Sequence, residues 1–221
     1  YLMQAEAGYL HLSGEPGSPP ARMGLSIVDY MTGITTAVAI LSSLFGVLKG
    51  GCGHDIDVSL FDVALHQLTY PGAWYLNSGY RTERLPRSAH PSTVPVQLQR
   101  TSDGWIFIMC MTQKFWVELV RTLERPDLLT HADYATVEAR RANRDALTAV
   151  LDDLLSTATT ADWLSRLQGV LPAAPVYDLP QALDNPYLRT IGMVKDLPHP
   201  AQEGYRVLAN PIKLDGERLP S

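Results

Sequence analysis

The feature that most constrains this chain is a long apolar stretch, residues 34–48, followed at once by Gly50-Gly51. Threonine and serine residues interrupt the stretch, and by its length and polarity we judge it too short and too polar to span a bilayer. It predicts instead a buried helix from Tyr30 to about Lys49, with Asp29 as the N-cap and the two glycines as the stop signal. A chain of 221 residues can bury a core large enough to receive such a helix.

Composition excludes several classes of partner. The chain is 46% hydrophobic and 19% charged, which is typical of a soluble globular protein. Its net charge of -5 gives no basic field, so we expect no nucleic-acid partner. The two cysteines, Cys52 and Cys110, lie far apart and favour a reducing compartment. With no visible signal peptide, we expect a cytoplasmic protein that does not bind a membrane.

The remaining pattern predicts an α/β protein in two pieces joined by linkers. Residues 70–95 are rich in Pro, Arg, Ser and Gly, and we interpret them as a linker. Arg140-Arg141 is expected on an exposed helix face. The other predicted elements are a strand at 55–58, a helix at 60–68 capped by Ser59 or Asp57, a hairpin of 94–99 and 105–110 around Asp103-Gly104, helices at 113–123, 137–155 and 161–167 (the last capped by Thr160), and a final strand pair at 194–197 and 205–208.

Asp29 is the carboxylate best placed for chemistry. At the start of a helix it would face free backbone amides and the positive end of the helix dipole, which favour its ionised form. An ionised carboxylate in such surroundings can attack an acyl centre. Aspartate is also among the commonest N-cap residues, so on spacing alone a purely structural cap is the stronger interpretation.

Other combinations of reactive residues are weaker. Residues 52–55 place a cysteine, a histidine and an aspartate together, but no second pair has matching spacing, so we expect a turn and no metal site. No Gly-x-Ser-x-Gly elbow and no glycine-rich nucleotide fingerprint is present. Arg81, Arg84 and Arg87 could meet an anionic substrate, although solvated linker charges explain them more simply.

An ordered series of motifs runs along the whole chain. Its first part comprises Gln4-Ala5-x-x-Gly8, Ser13-Gly14, Pro19-Pro20-x-Arg22, Asp29-x-x-Thr32-Gly33 and Gly51-x-Gly53-x-x-Ile56-Asp57-Val58-Ser59-Leu60. It continues with His90-Pro91, Pro95, Thr101-x-Asp103-Gly104, Trp116, Arg140 and Pro175-Val176. In this order the motifs resemble the class III CoA-transferase family (CaiB/BaiF type), which includes the formyl-CoA and carnitine CoA-transferases.

The resemblance implies a fold and an assembly. The family has a Rossmann-like large domain built from both ends of the chain, a small α/β domain between them, and two subunits interlocked as a homodimer. Residues 1–70 would then be part of the large domain and carry the catalytic Asp29, with 71–94 as a linker. Residues 95–180 would form the small domain, and 181–221 would lead back to the large domain. The N-terminal half of the family's usual length would be lacking.

The resemblance also implies a reaction. Asp29 matches the catalytic aspartate of the family, which passes CoA from an acyl-CoA donor to a carboxylic acid acceptor through an aspartyl anhydride and an aspartyl-CoA thioester. A CoA thioester is then a substrate, no cofactor is bound permanently, and most CoA-binding residues would lie before Tyr1, so we assign none here. Some members close a run of glycines over the acyl group; here residues 85–91 contain no glycine, which puts that lid in doubt.

Two alternatives stay open. In α-methylacyl-CoA racemase, which shares the fold, an aspartate at the position of Asp29 works with a histidine on the substrate's α-carbon. That histidine would lie before Tyr1, so this sequence cannot display it. The second alternative is a truncated fragment without catalytic activity.

Overall fold

The computed structural model describes residues 1–219; Pro220 and Ser221, the end of the predicted 181–221 segment, lie outside the described residues. The chain forms two compact units, Tyr1–Ala174 and Pro175–Ser221. Helices and strands are mixed, which confirms the predicted α/β class. The predicted boundaries at 70, 94 and 180 stay predictions.

The regular elements of the first eighty residues are all helices, and the longest is the one that carries Asp29. Ser59 begins the helix that follows, because its Oγ accepts a hydrogen bond from the Asp62 N–H at 3.0 Å. This confirms Ser59 as the cap. The helices are α1 (Leu2–Glu6), α2 (Tyr9–Leu12), α3 (Ile27–Leu48), α4 (Leu60–His66) and α5 (Thr69–Ser78).

Two predictions in this region were wrong. Residues 55–58 form no strand, since a strand requires a hydrogen-bonded partner and none of the described residues pairs with them. Residues 70–78, predicted as part of a linker without regular structure, lie in α5. Its Pro71 lies in the first turn, where the missing N–H costs no helical hydrogen bond, and Gly79 ends the helix with φ 67°.

Helix α3 is exposed along most of its length, which contradicts the predicted buried helix. Among its residues only Val28 is buried, packed with Ala7 and Ala64. The helix has 22 residues, and no part of its most apolar stretch is buried. By length and composition alone it could cross a membrane, a test that soluble core helices and signal sequences also pass. The helix is longer than the stretch of 34–48 that was judged from the sequence, since it begins seven residues before Ile34.

The hairpin predicted around Asp103-Gly104 is confirmed. Strands β1 (Val96–Arg100) and β2 (Trp105–Met109) pair in antiparallel register, with Arg100 opposite Trp105. A third strand, β3 (Ala173–Pro175), adds to β2. The helices that cover this sheet are α6 (Gln113–Thr122), α7 (Val137–Ala142), α8 (Arg144–Leu155) and α9 (Thr160–Leu167), and short 3-10 turns occupy Pro86–Ser88 and Pro126–Leu129.

A well-packed apolar core lies between this sheet and its helices. Its members come from β2, from α6, α8 and α9, and from the segments that connect them; they include Ile106, Ile108, Trp116, Leu147, Leu151 and Leu167. Cys110 is buried among them, and burial raises the pKa of its thiol to about 12, so the group is a small core residue as predicted from its strand position.

Three details of these helices differ from the predictions. The helix predicted over 137–155 is broken at Asn143, whose φ of -112° and ψ of 31° are not helical. Arg140 is buried, not exposed, while Arg141 is exposed. Helix α9 is capped one residue earlier than predicted, by Thr159, which forms a capping box with Asp162.

The second unit is built from short elements. Strands β4 (Val194–Asp196) and β5 (Arg206–Leu208) pair in antiparallel register and confirm the predicted final strand pair. The other elements are α10 (Leu179–Leu183), α11 (Pro186–Thr190), β6 (Lys213–Leu214) and β7 (Glu217–Arg218).

Candidate active site

Asp29 lies in the first turn of α3 and is exposed to solvent. The sequence predicted Asp29 as the N-cap, and this was wrong. The cap position is Ser26, and Asp29 is the third residue of the helix. The helix begins earlier because Val28 packs against Ala7 and Ala64, which places the residues before Asp29 in helical conformation. The carboxylate therefore sits within one turn of the positive end of the helix dipole.

The Ser26-x-x-Asp29 spacing is that of a capping box, yet the box is not formed. The Ser26 side chain makes no capping hydrogen bond, and its ψ of 56° is far from the extended backbone of a usual cap. Ser59, which has the same spacing to Asp62, has ψ 149° and does cap its helix. Within residues 1–219 no hydrogen bond engages the Asp29 carboxylate, so its oxygens are free to meet a substrate.

Gln4 holds the segment that leads into α3. This residue is 1% exposed, and its side-chain amide bonds the backbone twice: Nε2 donates to the Leu25 carbonyl at 3.2 Å, and Oε1 accepts from the Met23 N–H at 3.1 Å. In the sequence Gln4 was only one residue of a motif. The signal that the sequence offers for its role is an uncharged polar residue between two apolar neighbours, Met3 and Ala5.

A cavity of about 280 Å³ borders the first turn of α3 on the side away from Asp29. Ile27, Val28 and Met31 line it from α3, and Tyr9 and Pro71 from neighbouring elements, whereas Asp29 does not contribute. Its walls are mostly apolar. The cavity is therefore separate from the surface that Asp29 presents.

The other candidate groups take structural positions. Residues 52–55 are exposed, and in the described part of the chain no group of three His, Cys, Asp or Glu residues could hold a metal ion. Arg84 donates to the carbonyls of Ser13, Ser18 and Pro19 and so fixes the loop before α3. Arg81 is exposed.

Arg87 joins three parts of the chain. Its backbone N–H donates to both oxygens of Glu15 at 2.9 and 3.0 Å, its guanidinium pairs with Asp152 at 2.5 Å, and it lies 5.5 Å from the centre of the Trp105 ring. Its φ of 60° is in the left-handed region that favours glycine. The segment without glycines thus adopts a glycine-like backbone, held there by the contacts of Arg87.

Comparison with known proteins gives one consistent result. A family model described as CoA-transferase family III matches residues 1–221. The succinyl-CoA:mesaconate CoA-transferase of Haloarcula hispanica is 29% identical over 221 residues, which are 100% of this chain and 55% of that protein. The acetyl-CoA:oxalate CoA-transferase of Acetobacter aceti is 28% identical over 217 residues, 97% of this chain and 54% of that protein.

A solved structure is similar over the same span. The crystal structure of a CaiB/BaiF family protein from Brucella suis has a TM-score of 0.81 and 31% sequence identity, and covers 99% of this chain and 56% of that one. The chain thus spans about half the length of the curated relatives it matches.

Proposed function

The chain belongs to CoA-transferase family III, and on this basis we propose that the protein moves CoA from an acyl-CoA donor to a carboxylic acid acceptor, with Asp29 as the nucleophile. The observation that carries the proposal is the exposed Asp29 carboxylate in the first turn of α3, which has no hydrogen-bond partner among residues 1–219. The relatives named as CoA-transferases support the reaction class.

The reaction begins when an oxygen of Asp29 attacks the thioester carbonyl carbon of the donor. The C–S bond breaks, CoA leaves as a thiolate with the electron pair, and a mixed anhydride forms on Asp29. The thiolate then attacks the Asp29 carbonyl of the anhydride, which releases the donor acid as its carboxylate and leaves an aspartyl-CoA thioester. A carboxylate suits this exchange because it is both a nucleophile and a leaving group.

The second half repeats these steps in reverse order. The acceptor carboxylate attacks the aspartyl-CoA thioester, and the thiolate leaves as a new anhydride forms. The thiolate then attacks the acceptor's carbonyl carbon, so the acceptor departs as a thioester and Asp29 is restored. Negative charge passes through Asp29 at each step, where the N-terminal amides of α3 stabilise it.

The proposal extends to partners and setting. Its substrates are an acyl-CoA and a carboxylic acid, with CoA as cargo and no permanently bound cofactor. We also propose an interlocked homodimer and a cytoplasmic location, which follow from the family resemblance and from the composition. The succinyl, mesaconyl, acetyl and oxalyl groups named for the relatives are examples of the class, not assignments for this chain.

Hydroxylamine trapping tests the proposal. During turnover with an acyl-CoA, hydroxylamine should convert Asp29 to a hydroxamate, detected by mass spectrometry of the peptide that contains it. Asp62 is the matched control, since it is also an exposed third residue of a helix with the same serine spacing. Asp29→Asn should abolish CoA exchange and trapping, while Asp62→Asn leaves both intact. Exchange of the substrate's α-proton without trapping would support the racemase instead.

A further inference from the structure

We propose that Gln4 is a positioning residue for Asp29, acting through the backbone that leads into α3. The proposal rests on the assignment of Asp29 as the nucleophile. It concerns a residue that does not touch the substrate. Its role is to fix where the first turn of α3 begins, and so where the Asp29 carboxylate points.

The hydrogen bonds of the segment before α3 converge on Gln4. Met23 N–H donates to the oxygen of the Gln4 side-chain amide, and the Leu25 carbonyl accepts from its nitrogen. Within residues 23–25, the remaining side-chain hydrogen bond in the described chain runs from Arg22 to the Gly24 carbonyl at 3.4 Å, on the exposed surface. The buried anchor of residues 23–25 is therefore the side chain of Gln4.

This anchor matters because the usual local anchor is lacking. Ser26 does not cap α3, so the first turn is not fixed by its own N-cap residue. Asp29 has no hydrogen bond of its own among residues 1–219 to fix its direction. The Gln4 bond to Leu25 lies one residue before the cap position, and the turn is also held by the packing of Ile27 and Val28 with Ala7 and Ala64.

A glutamine is chemically suited to this task. Its amide offers one donor and one acceptor at the same end of a short side chain, and both are used. A methionine of similar size loses both bonds. A glutamate keeps the acceptor for Met23 N–H, but it can donate to the Leu25 carbonyl only when protonated.

The experiment compares Gln4→Met, Gln4→Glu and Gln97→Met in the purified protein. Gln97 is the matched control, because it is also a glutamine 1% exposed, and its Nε2 donates to Thr148 Oγ1 at 2.7 Å, far along the chain from α3. Measurements are kcat and KM for CoA exchange, thermal stability, and hydrogen exchange of the amides of residues 30–33, the first of α3 that donate to helical carbonyls.

We expect Gln4→Met to lower kcat about tenfold or more, with a smaller change in KM, since small misplacements of a reacting group cost this much. The amides of residues 30–33 should exchange faster. Gln4→Glu should regain kcat relative to the native protein as the pH falls, because the protonated acid restores the donor. Gln97→Met should lower the melting temperature without lowering kcat at a temperature where it stays folded.

Three results would overturn the proposal: native kcat in Gln4→Met, a loss of kcat in Gln97→Met equal to that in Gln4→Met at matched stability, or unchanged hydrogen exchange at residues 30–33. Failure of the proposed function gives a different pattern. In that case the native protein exchanges no CoA and Asp29 is not trapped, whereas the effect of Gln4→Met on hydrogen exchange can still be measured.

Discussion

Ser26 and Ser59 have the same spacing to an aspartate, but only Ser59 caps its helix. The difference is in the backbone, because a side chain reaches the N–H groups of the first turn only from an extended residue. We therefore expect Ser59→Ala to lower the free energy of unfolding of α4's region by about 1 kcal/mol, and Ser26→Ala to leave it nearly unchanged. Denaturant unfolding of the two variants measures this, and equal losses would contradict the unformed cap.

Arg140 is a buried cation held by backbone carbonyls. It is 1% exposed, donates to the carbonyls of Val94 and Tyr134 at 2.9 and 2.8 Å, and lies over the Trp116 ring. Arg140→Met should cost about 3 kcal/mol in unfolding free energy, since buried acceptors are left without donors. The exposed neighbour gives the control: Arg141→Met should stay within about 0.5 kcal/mol of the native protein. Equal losses of unfolding free energy in the two variants would contradict a stabilising role for the buried hydrogen bonds of Arg140.

Arg87 is a non-glycine residue with a left-handed backbone conformation, and substitutions there measure the free energy that this conformation costs. Both Arg87→Ala and Arg87→Gly lose the pairing with Asp152, so both should be less stable than the native protein. At a φ of 60° we expect the glycine variant to be the more stable of the two by about 0.5–1 kcal/mol, because it removes the strain that alanine keeps. Thermal unfolding ranks them. An alanine variant more stable than the glycine variant would show that the segment relaxes when Arg87 is lost.

At the level of elements, the hairpin is fastened to α9 through Asp103. Its carboxylate accepts from the Thr160 N–H at 2.8 Å and from Thr160 Oγ1 at 3.0 Å, and these bonds hold the pKa of Asp103 below its ordinary value. A carboxylate with a lowered pKa contributes stability that is present above the ordinary aspartate value and is lost as the pH falls through the lowered one.

The expected result is a difference in acid sensitivity. Asp103→Asn should be less stable than the native protein at pH 7, and it should lose less stability than the native protein as the pH falls from about 5 to about 2. Urea unfolding at several pH values provides the measurement. If the unfolding free energies of the two proteins fell in parallel with pH, Asp103 would not contribute to the loss of stability in acid.

Local chemistry explains which elements the sequence could predict. Asp103-Gly104 and Ser59 act on their immediate neighbours, so the hairpin and the start of α4 were predicted correctly. The burial of Arg140 could not be predicted, since one of its partners, Val94, lies 46 residues away. Helix α5 was missed because Pro71-Gly72 looks like a turn, although a proline in a first turn is compatible with a helix.

The candidate site likewise has one residue that the sequence could predict and one that it could not. Asp29 was chosen from the sequence by the ordered motifs around it, and the structure places it in the first turn of α3, not at the cap. Its nearest support could not be inferred. Gln4 reaches Leu25 across 21 residues of chain, and no spacing rule in the sequence links a glutamine in a short helix to a distant carbonyl.

For the whole molecule, the two apolar clusters of the first unit differ greatly in size. In the described part of the chain the larger one has sixteen buried members between Val94 and Leu171, whereas the smaller one has three, Ala7, Val28 and Ala64. Stability follows buried apolar surface. The 221-residue chain should therefore not unfold in a single step.

Hydrogen exchange on this chain gives the test. Amides of α6, α8 and α9 should be protected to much higher denaturant concentration than those of α1, α3 and α4, because local opening costs least where few apolar contacts are lost. A Leu147→Ala substitution should lower protection in the first group alone. Uniform protection along the chain would contradict two cores of unequal strength.

The unequal cores also bear on how the chain is made. All members of the larger core lie within one continuous segment, from Val94 to Leu171. This segment can therefore fold soon after its last residue leaves the ribosome. Helix α3 is synthesised earlier, and in this chain its apolar side chains are still uncovered. During synthesis the apolar side chains of α3 are thus exposed before the segment that holds the larger core is complete, so we expect α3 to be bound by chaperones that recognise apolar helices.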